Sequence, residues 1–158
     1  MSHVTIRSDG GARGNPGPAG IGFTVEVEGA EIFGGGAFIG DTTNNVAEYL
    51  AMAWALENAL HHGASSVLVL ADSELVVKQI RGEYRVKAPG LKAYFELVRT
   101  LLLRFDRYEI NHIYRAENKV ADGYANQAMD ARTEVGTAPL SLHATSGGRL
   151  HAGPTSLF

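Results

Sequence analysis

Apolar and polar residues alternate with a period of two at the start of the chain. Val4, Ile6 and Ser8 fall on one side and Thr5, Arg7 and Asp9 on the other, which predicts a half-buried strand ending at Asp9. Gly and Pro crowd residues 10–20, so this stretch reads as a loop. Ile21, Phe23, Val25 and Val27 then alternate with Gly22, Thr24, Glu26 and Glu28, giving a second strand. Gly29-Ala30 turns the chain into a third, around residues 31–39. Three successive strands with short connections predict an antiparallel meander.

From Val46 the period changes. Tyr49, Leu50, Ala53, Leu56 and Leu60 recur at helical spacing, and His62-Gly63 ends that helix. Val67-Leu68-Val69-Leu70 is a continuous apolar run, as in a parallel strand covered on both faces. A short helix follows, with Leu75, Val76, Gln79 and Ile80 on one face. Pro89-Gly90 opens a longer one, striped by Leu91, Tyr94, Phe95, Val98, Leu101, Leu102 and Phe105. Residues 108–114 make the last strand, and Val120, Ala121, Tyr124, Ala125 and Ala128 belong to a final core helix. This order predicts an α/β fold, a five-stranded mixed sheet with helices on both faces, within one domain over residues 1–132. Residues 133–158 shift to Gly, Ser, Thr, Pro and Ala and read as a tail, mostly flexible or docked. Leu140, Leu142, Leu150, Leu157 and Phe158 are its docking points, and the docking can take the form of an added edge strand or of a cover folded over the active site.

Composition narrows the chemistry. A chain of 158 residues, 45% hydrophobic, suits a single domain with a fair-sized core. The absence of cysteine excludes disulfides, zinc thiolate sites and thiol nucleophiles, and fits a cytoplasmic setting. No apolar run is long enough for a bilayer and no basic-plus-apolar leader opens the chain, so the expectation is a soluble monomer with no membrane partner. A net charge of −3 counts against a purely electrostatic binder of nucleic acid.

Four acids stand in separate local settings: Asp9 in Ser8-Asp9-Gly10-Gly11, Glu48 in Asn44-Asn45-Val46-Ala47-Glu48, Asp72 in Ala71-Asp72-Ser73, and Asp122 in Lys119-Val120-Ala121-Asp122. Each has an ordinary structural reading. Asp9-Gly10 is a turn dipeptide, and Asn45 with Glu48 three residues on is a capping box. Asp72 can cap the helix after it, and Asp122 is a first-turn acid favoured by the helix dipole. Jointly the balance reverses. Ligands of open α/β sheets bind where the parallel strands end, and three of the four acids map to that edge. Clustered like charges call for divalent metal, and paired metals held by carboxylates cut phosphodiesters. Two such cations would move the net charge from −3 to +1, which weakens the electrostatic objection.

The motifs also carry a resemblance. Asp9-Gly10-Gly11-Ala12-Arg13-Gly14-Asn15-Pro16-Gly17-Pro18-Ala19-Gly20-Ile21-Gly22 resembles the opening motif of ribonuclease H type 1. Thr42-Thr43-Asn44-Asn45-Val46-Ala47-Glu48-Tyr49 resembles its first-helix motif. Ala71-Asp72-Ser73 and Asn118-Lys119-Val120-Ala121-Asp122 resemble the remaining two. The likeness runs over residues 3–131, in the family's order. It implies a ribonuclease H-like three-layer fold with sheet order 3-2-1-4-5. The activity it implies is endonucleolytic cutting of the RNA strand of RNA/DNA hybrids, leaving 5′-phosphate and 3′-hydroxyl ends.

By the same resemblance Asp9, Glu48, Asp72 and Asp122 match the family's catalytic, metal-binding carboxylates. They would hold two Mg²⁺, with Mn²⁺ as a substitute, about 3.5–4 Å apart. Gly10 and Gly11 would let backbone amides approach the RNA strand. Asn15, Asn44 and Asn45 match positions that meet the hybrid through minor-groove or 2′-hydroxyl contacts, in addition to their loop and cap chemistry.

Two departures stand out. Many relatives carry a basic helical protrusion before the long helix; here the stretch is only Arg81-Gly82-Glu83-Tyr84-Arg85-Val86-Lys87-Ala88-Pro89. Arg81, Arg85, Lys87 and Lys92 remain as a small basic group, which implies a weaker grip on the hybrid. Many relatives also place a His in the loop before the last carboxylate. Tyr114-Arg115-Ala116-Glu117-Asn118 has none, and Arg115 is the replacement, able to bind phosphate but a poor proton shuttle because its charge is permanent. Glu117 is a second candidate, as a group that steers metal or water. His61 and His62 sit at a helix end, His112 packs in the last strand, and Trp54 is a core or groove-side residue. Two rival functions remain in view: a same-fold nuclease acting on DNA or double-stranded RNA, and a catalytically silent hybrid-binding module. The Asn-rich motif speaks against DNA, and loss of a carboxylate would mark the silent module; all four are present.

Overall fold

The computed structural model describes residues 2–142, so Leu150, Leu157 and Phe158, as well as His143 and His151, lie outside the described residues. The elements in chain order are β1 (His3–Ala12), β2 (Gly17–Val27), β3 (Ala30–Thr42), α1 (Asn44–His62), β4 (Ser66–Ala71), α2 (Glu74–Ile80), α3 (Pro89–Leu102), β5 (Arg107–His112), α4 (Lys119–Ala131) and β6 (Val135–Gly136). A 3₁₀ turn, Arg115–Glu117, joins β5 to α4.

The strands form one sheet in the order β5-β4-β1-β2-β3-β6. Its first five members stand in the expected order; the sixth corrects the expected count. β1 pairs antiparallel with β2 and parallel with β4, and β5 extends the parallel side. Burial in β1 alternates as predicted, with Val4, Ile6 and Ser8 inside. At the β2–β3 hairpin Glu28 and Gly29 both take positive φ, 51° and 81°, which matches the strand twist.

Residues 10–20 are not one long loop. β1 continues to Ala12 and β2 begins at Gly17, with Gly10 opposite Ile21 and Gly11 opposite Gly20. Glycine marks close approach here rather than a turn. A Cβ on Gly10 would lie 2.7 Å from the Glu48 nitrogen, so its absence lets α1 press onto the strand. On the opposite face, a Cβ on Gly22 would lie 2.7 Å from the Ala125 nitrogen, and α4 fills that space.

Helix α1 is buried from Ala47 to Ala59 because it lies between the sheet and α3. Thr43, not Asn45, caps its start, its hydroxyl accepting from the Val46 N–H at 3.3 Å. Glu48 is therefore released from the predicted capping box. The fully buried Trp54 ring meets Phe23 edge-on at 4.8 Å, and the Tyr49 hydroxyl donates to Gln79 Oε1 at 2.6 Å, tying α1 to α2. Ala121, Ala125 and Ala128 face the sheet from α4 as expected, whereas Val120 is exposed because it falls on the helix's outer side. His112 is exposed too, being the last residue of the edge strand β5 rather than a packed one.

The described start of the tail is docked. β6 pairs with Gly35 and Gly36 of β3, whose edge would otherwise leave backbone groups unpaired. Trp54 Nε1 donates to the Leu140 carbonyl at 2.9 Å, the Leu140 N–H donates to Asn58 Oδ1 at 2.9 Å, and Leu142 is buried.

Candidate active site

The last parallel pair between β1 and β4 is Ser8 with Ala71. On each strand the next residue is an acid, so Asp9 and Asp72 stand side by side at neighbouring carboxyl ends. Glu48 reaches them from the second turn of α1, and its Oε1 accepts from the Gly10 N–H at 2.6 Å. One oxygen each of Asp9, Glu48 and Asp72 can be chosen so that all lie within 4.8 Å of one another. Asp122, in the first turn of α4, shares a hydrogen bond with Asp9. Asp72 is not the cap of α2; Ser73 is, accepting from the Val76 N–H at 3.3 Å.

The acids open onto a cleft of ≈ 430 Å³ that also has Gly10, Gly11, Asn44, Asn45 and Arg115 on its walls. Asn15 stands one step back, its Oδ1 accepting from the Asn44 N–H at 3.0 Å. Asn44 Oδ1 in turn accepts from the Ala12 N–H at 2.8 Å, which pins the start of α1 to β1. Glu117 lies outside the cleft wall; its carboxylate accepts from the Tyr114 N–H at 3.4 Å and closes the 3₁₀ turn. Sequence reasoning missed Arg13, Ser73 and Asn126 as wall residues, and gave Asn118 no role. Arg13 pairs with Asp130 at 2.8 Å, a partnership between distant segments that no local pattern reveals.

Crowding shows in the titration of the acids. The Asp9 pKa is pushed up to about 8, first by burial, then by the Asp72 charge and the hydrogen bond and charge of Asp122, with Arg115 opposing. Burial likewise holds Glu48 well above the usual carboxylate range, aided by the charges of Asp9 and Asp72 and resisted by the Gly10 N–H and Arg115. The donor set is entirely oxygen and oversupplied with negative charge. That composition suits a hard divalent cation.

Fold and cleft thus define a three-layer α/β protein with a carboxylate cluster, suited to metal, at the carboxyl ends of its central parallel strands. A family model described as reverse transcriptase-like matches residues 7–128. Ribonuclease HI of Halobacterium salinarum is 43% identical over 123 residues, covering 77% of this chain and 62% of that protein. The crystal structure of RNase H1 from the same organism superposes with a TM-score of 0.80 at 41% identity, covering 82% of this chain and 98% of that one. A bifunctional protein of Mycobacterium tuberculosis is 41% identical over 137 residues, which is 85% of this chain but 38% of that protein. LC11-RNase H1, solved in complex with an RNA/DNA hybrid, gives a TM-score of 0.78 at 42% identity over 82% of this chain and 98% of its own. The chain spans less than two thirds of the halobacterial and mycobacterial proteins. It belongs to the ribonuclease H family, type 1.

Proposed function

We propose that the chain is a metal-dependent endoribonuclease that hydrolyses the RNA strand of RNA/DNA hybrids. The carrying observation is the cluster of Asp9, Glu48 and Asp72 oxygens within 4.8 Å of one another in an open cleft. Likeness to LC11-RNase H1, solved with a hybrid, supports the substrate class. Asp9, Glu48, Asp72 and Asp122 hold the metal; the ion we assign is Mg²⁺, two per site, with Mn²⁺ as a substitute. Bound there, divalent metal supplies the positive charge that polarises the phosphodiester and acidifies the attacking water.

The chain's own groups do the rest. The Gly10 N–H fixes Glu48 from one side, leaving its other oxygen for the cluster. Arg115, already opposing the acids' charge, offers its guanidinium to the scissile phosphate. Gly10 and Gly11 keep the wall low enough for a sugar-phosphate backbone. Asn15 and Asn44 use their amide oxygens to pin the loop, so their NH₂ groups, with the Asn45 side chain, are the donors we assign to RNA 2′-hydroxyls. Water oxygen joins phosphorus as the bond to the 3′ oxygen breaks, leaving 5′-phosphate and 3′-hydroxyl ends. No helix among the described residues is long and apolar enough to cross a membrane.

The test is cleavage of a labelled RNA strand in an RNA/DNA hybrid, an RNA/RNA duplex and a single strand, with Mg²⁺ and with EDTA. Hybrid-selective cutting that EDTA abolishes is the expected result. Equal cutting of the RNA duplex would move the substrate to A-form helices in general, and hybrid binding without cutting would make the chain a silent module. An Arg115→Ala protein with full turnover would remove Arg115 from the mechanism.

A further inference from the structure

Asn118 immediately precedes α4 and is completely buried, yet among the described residues its side chain makes no capping bond to that helix. Its Nδ2 instead donates to the Ser8 carbonyl at 2.8 Å and to Asp72 Oδ2 at 3.2 Å. Both partners only accept, so the orientation of the amide is settled: a flipped side chain would set oxygen against oxygen. The consequence is that Oδ1 is buried without a hydrogen-bond partner among the described residues, a condition that costs stability. An apolar side chain of similar size would avoid that cost. What Asn alone adds at this position is the pair of donated bonds.

Those two bonds end at informative places. Ser8 is the residue before Asp9, and Asp72 is the residue after β4. Asn118 itself lies four residues before Asp122 on the chain. A single neutral amide therefore links the backbone behind one acid, the carboxylate of a second and the helix that carries a third. We infer that Asn118 is the positioning residue of the metal site, fixing one oxygen of Asp72 so that the other is presented to the cation. The inference rests on the metal-dependent reading proposed above. A neutral donor suits the task, because a Lys or Arg there would satisfy the carboxylate with its own charge and compete with the metal.

The test is calorimetric titration of the full chain with Mg²⁺, in the wild-type protein, Asn118→Ala and Asn118→Ser, alongside metal-free melting temperatures and hybrid cleavage by the wild type. Asn118→Ser keeps a hydroxyl donor for one acceptor at most and serves where Asn118→Ala does not fold. Mg²⁺ binding about tenfold weaker in the folded variants is the expected result, out of proportion to any change in metal-free melting temperature. A lower melting temperature with unchanged Mg²⁺ affinity would mean that Asn118 only braces the fold, and would overturn the inference while leaving the proposed function intact. Wild-type protein that neither binds Mg²⁺ nor cuts the hybrid would overturn both.

Discussion

Two asparagines, Asn58 and Asn118, are both completely buried, and the molecule uses them in opposite ways. Asn58 is matched on both sides of its amide: Oδ1 accepts from the Leu140 N–H, and Nδ2 donates to the carbonyls of Trp54 at 3.0 Å and Leu140 at 3.4 Å. Asn118 donates twice and leaves Oδ1 unmatched. The first sits where the chain clasps its own C-terminal segment; the second sits among four acids. A fully satisfied buried network adds to stability, whereas a partly satisfied one subtracts from it. The clasp region is therefore built to hold the fold together. At the carboxylate end, stability is given up where acids able to hold a cation gather.

Removing an acid should separate the two regions most sharply. Asp72→Asn should lower hybrid cleavage about a thousandfold or more, the loss expected when several kcal/mol of metal-borne stabilisation disappears. The same substitution should raise the metal-free melting temperature at pH 8, because it relieves repulsion on Asp9 and Glu48. A lower melting temperature would show that the acids are structural.

Asn58→Ala should do the reverse. Leu140 loses the partner of its N–H and one partner of its carbonyl, so urea denaturation should show a loss of about 2–3 kcal/mol. Cleavage at 25 °C should stay within about twofold, since the clasp does not line the cleft. A large fall in turnover of the still-folded protein would join the two regions that the comparison keeps apart.

A smaller effect follows from pH. Folding raises the Asp9 pKa from 3.8 to about 8, and raises that of Glu48 in the same direction. Between those values the unfolded chain has released protons that the folded protein retains. Stability from these groups is thus complete at low pH and declines as pH climbs towards 8. Metal-free protein should melt several degrees lower at pH 8 than at pH 5, and Mg²⁺ at pH 8 should recover the difference. A flat profile would deny that the acids are strained. Smallest of all, Trp54→Phe keeps most of the ring packing but deletes the bond to the Leu140 carbonyl, and should cost about 1 kcal/mol without touching activity.

Much of this was legible in the residues themselves. Alternation placed Val4, Ile6 and Ser8 inside β1, and His62-Gly63 closed α1 where expected, with Gly63 at a φ of 97°. The four acids were each found at a strand end or early in a helix, which is why the fold gathers them. Glycine was the main source of error. Gly10, Gly11 and Gly20 were read as loop because local chemistry does not distinguish a flexible glycine from one a helix presses against. β6 is only one of several docking forms open to the tail in the sequence, because two residues of pairing leave no periodic trace; Gly35 and Gly36 receive it from about a hundred positions away. Asn118 was visible as part of a motif, but its two acceptors lie on β1 and after β4, and only the assembled sheet brings them within reach.

The most direct measurement is a Mg²⁺ titration at pH 8 read two ways on the same samples, as cleavage of the RNA strand of a hybrid and as melting temperature. Both should rise together with a common midpoint in the wild-type protein, and neither should respond in Asp72→Asn. Cleavage that persists in EDTA, or a melting temperature indifferent to Mg²⁺ while cleavage responds, would contradict a site whose acids are held together by the metal they bind.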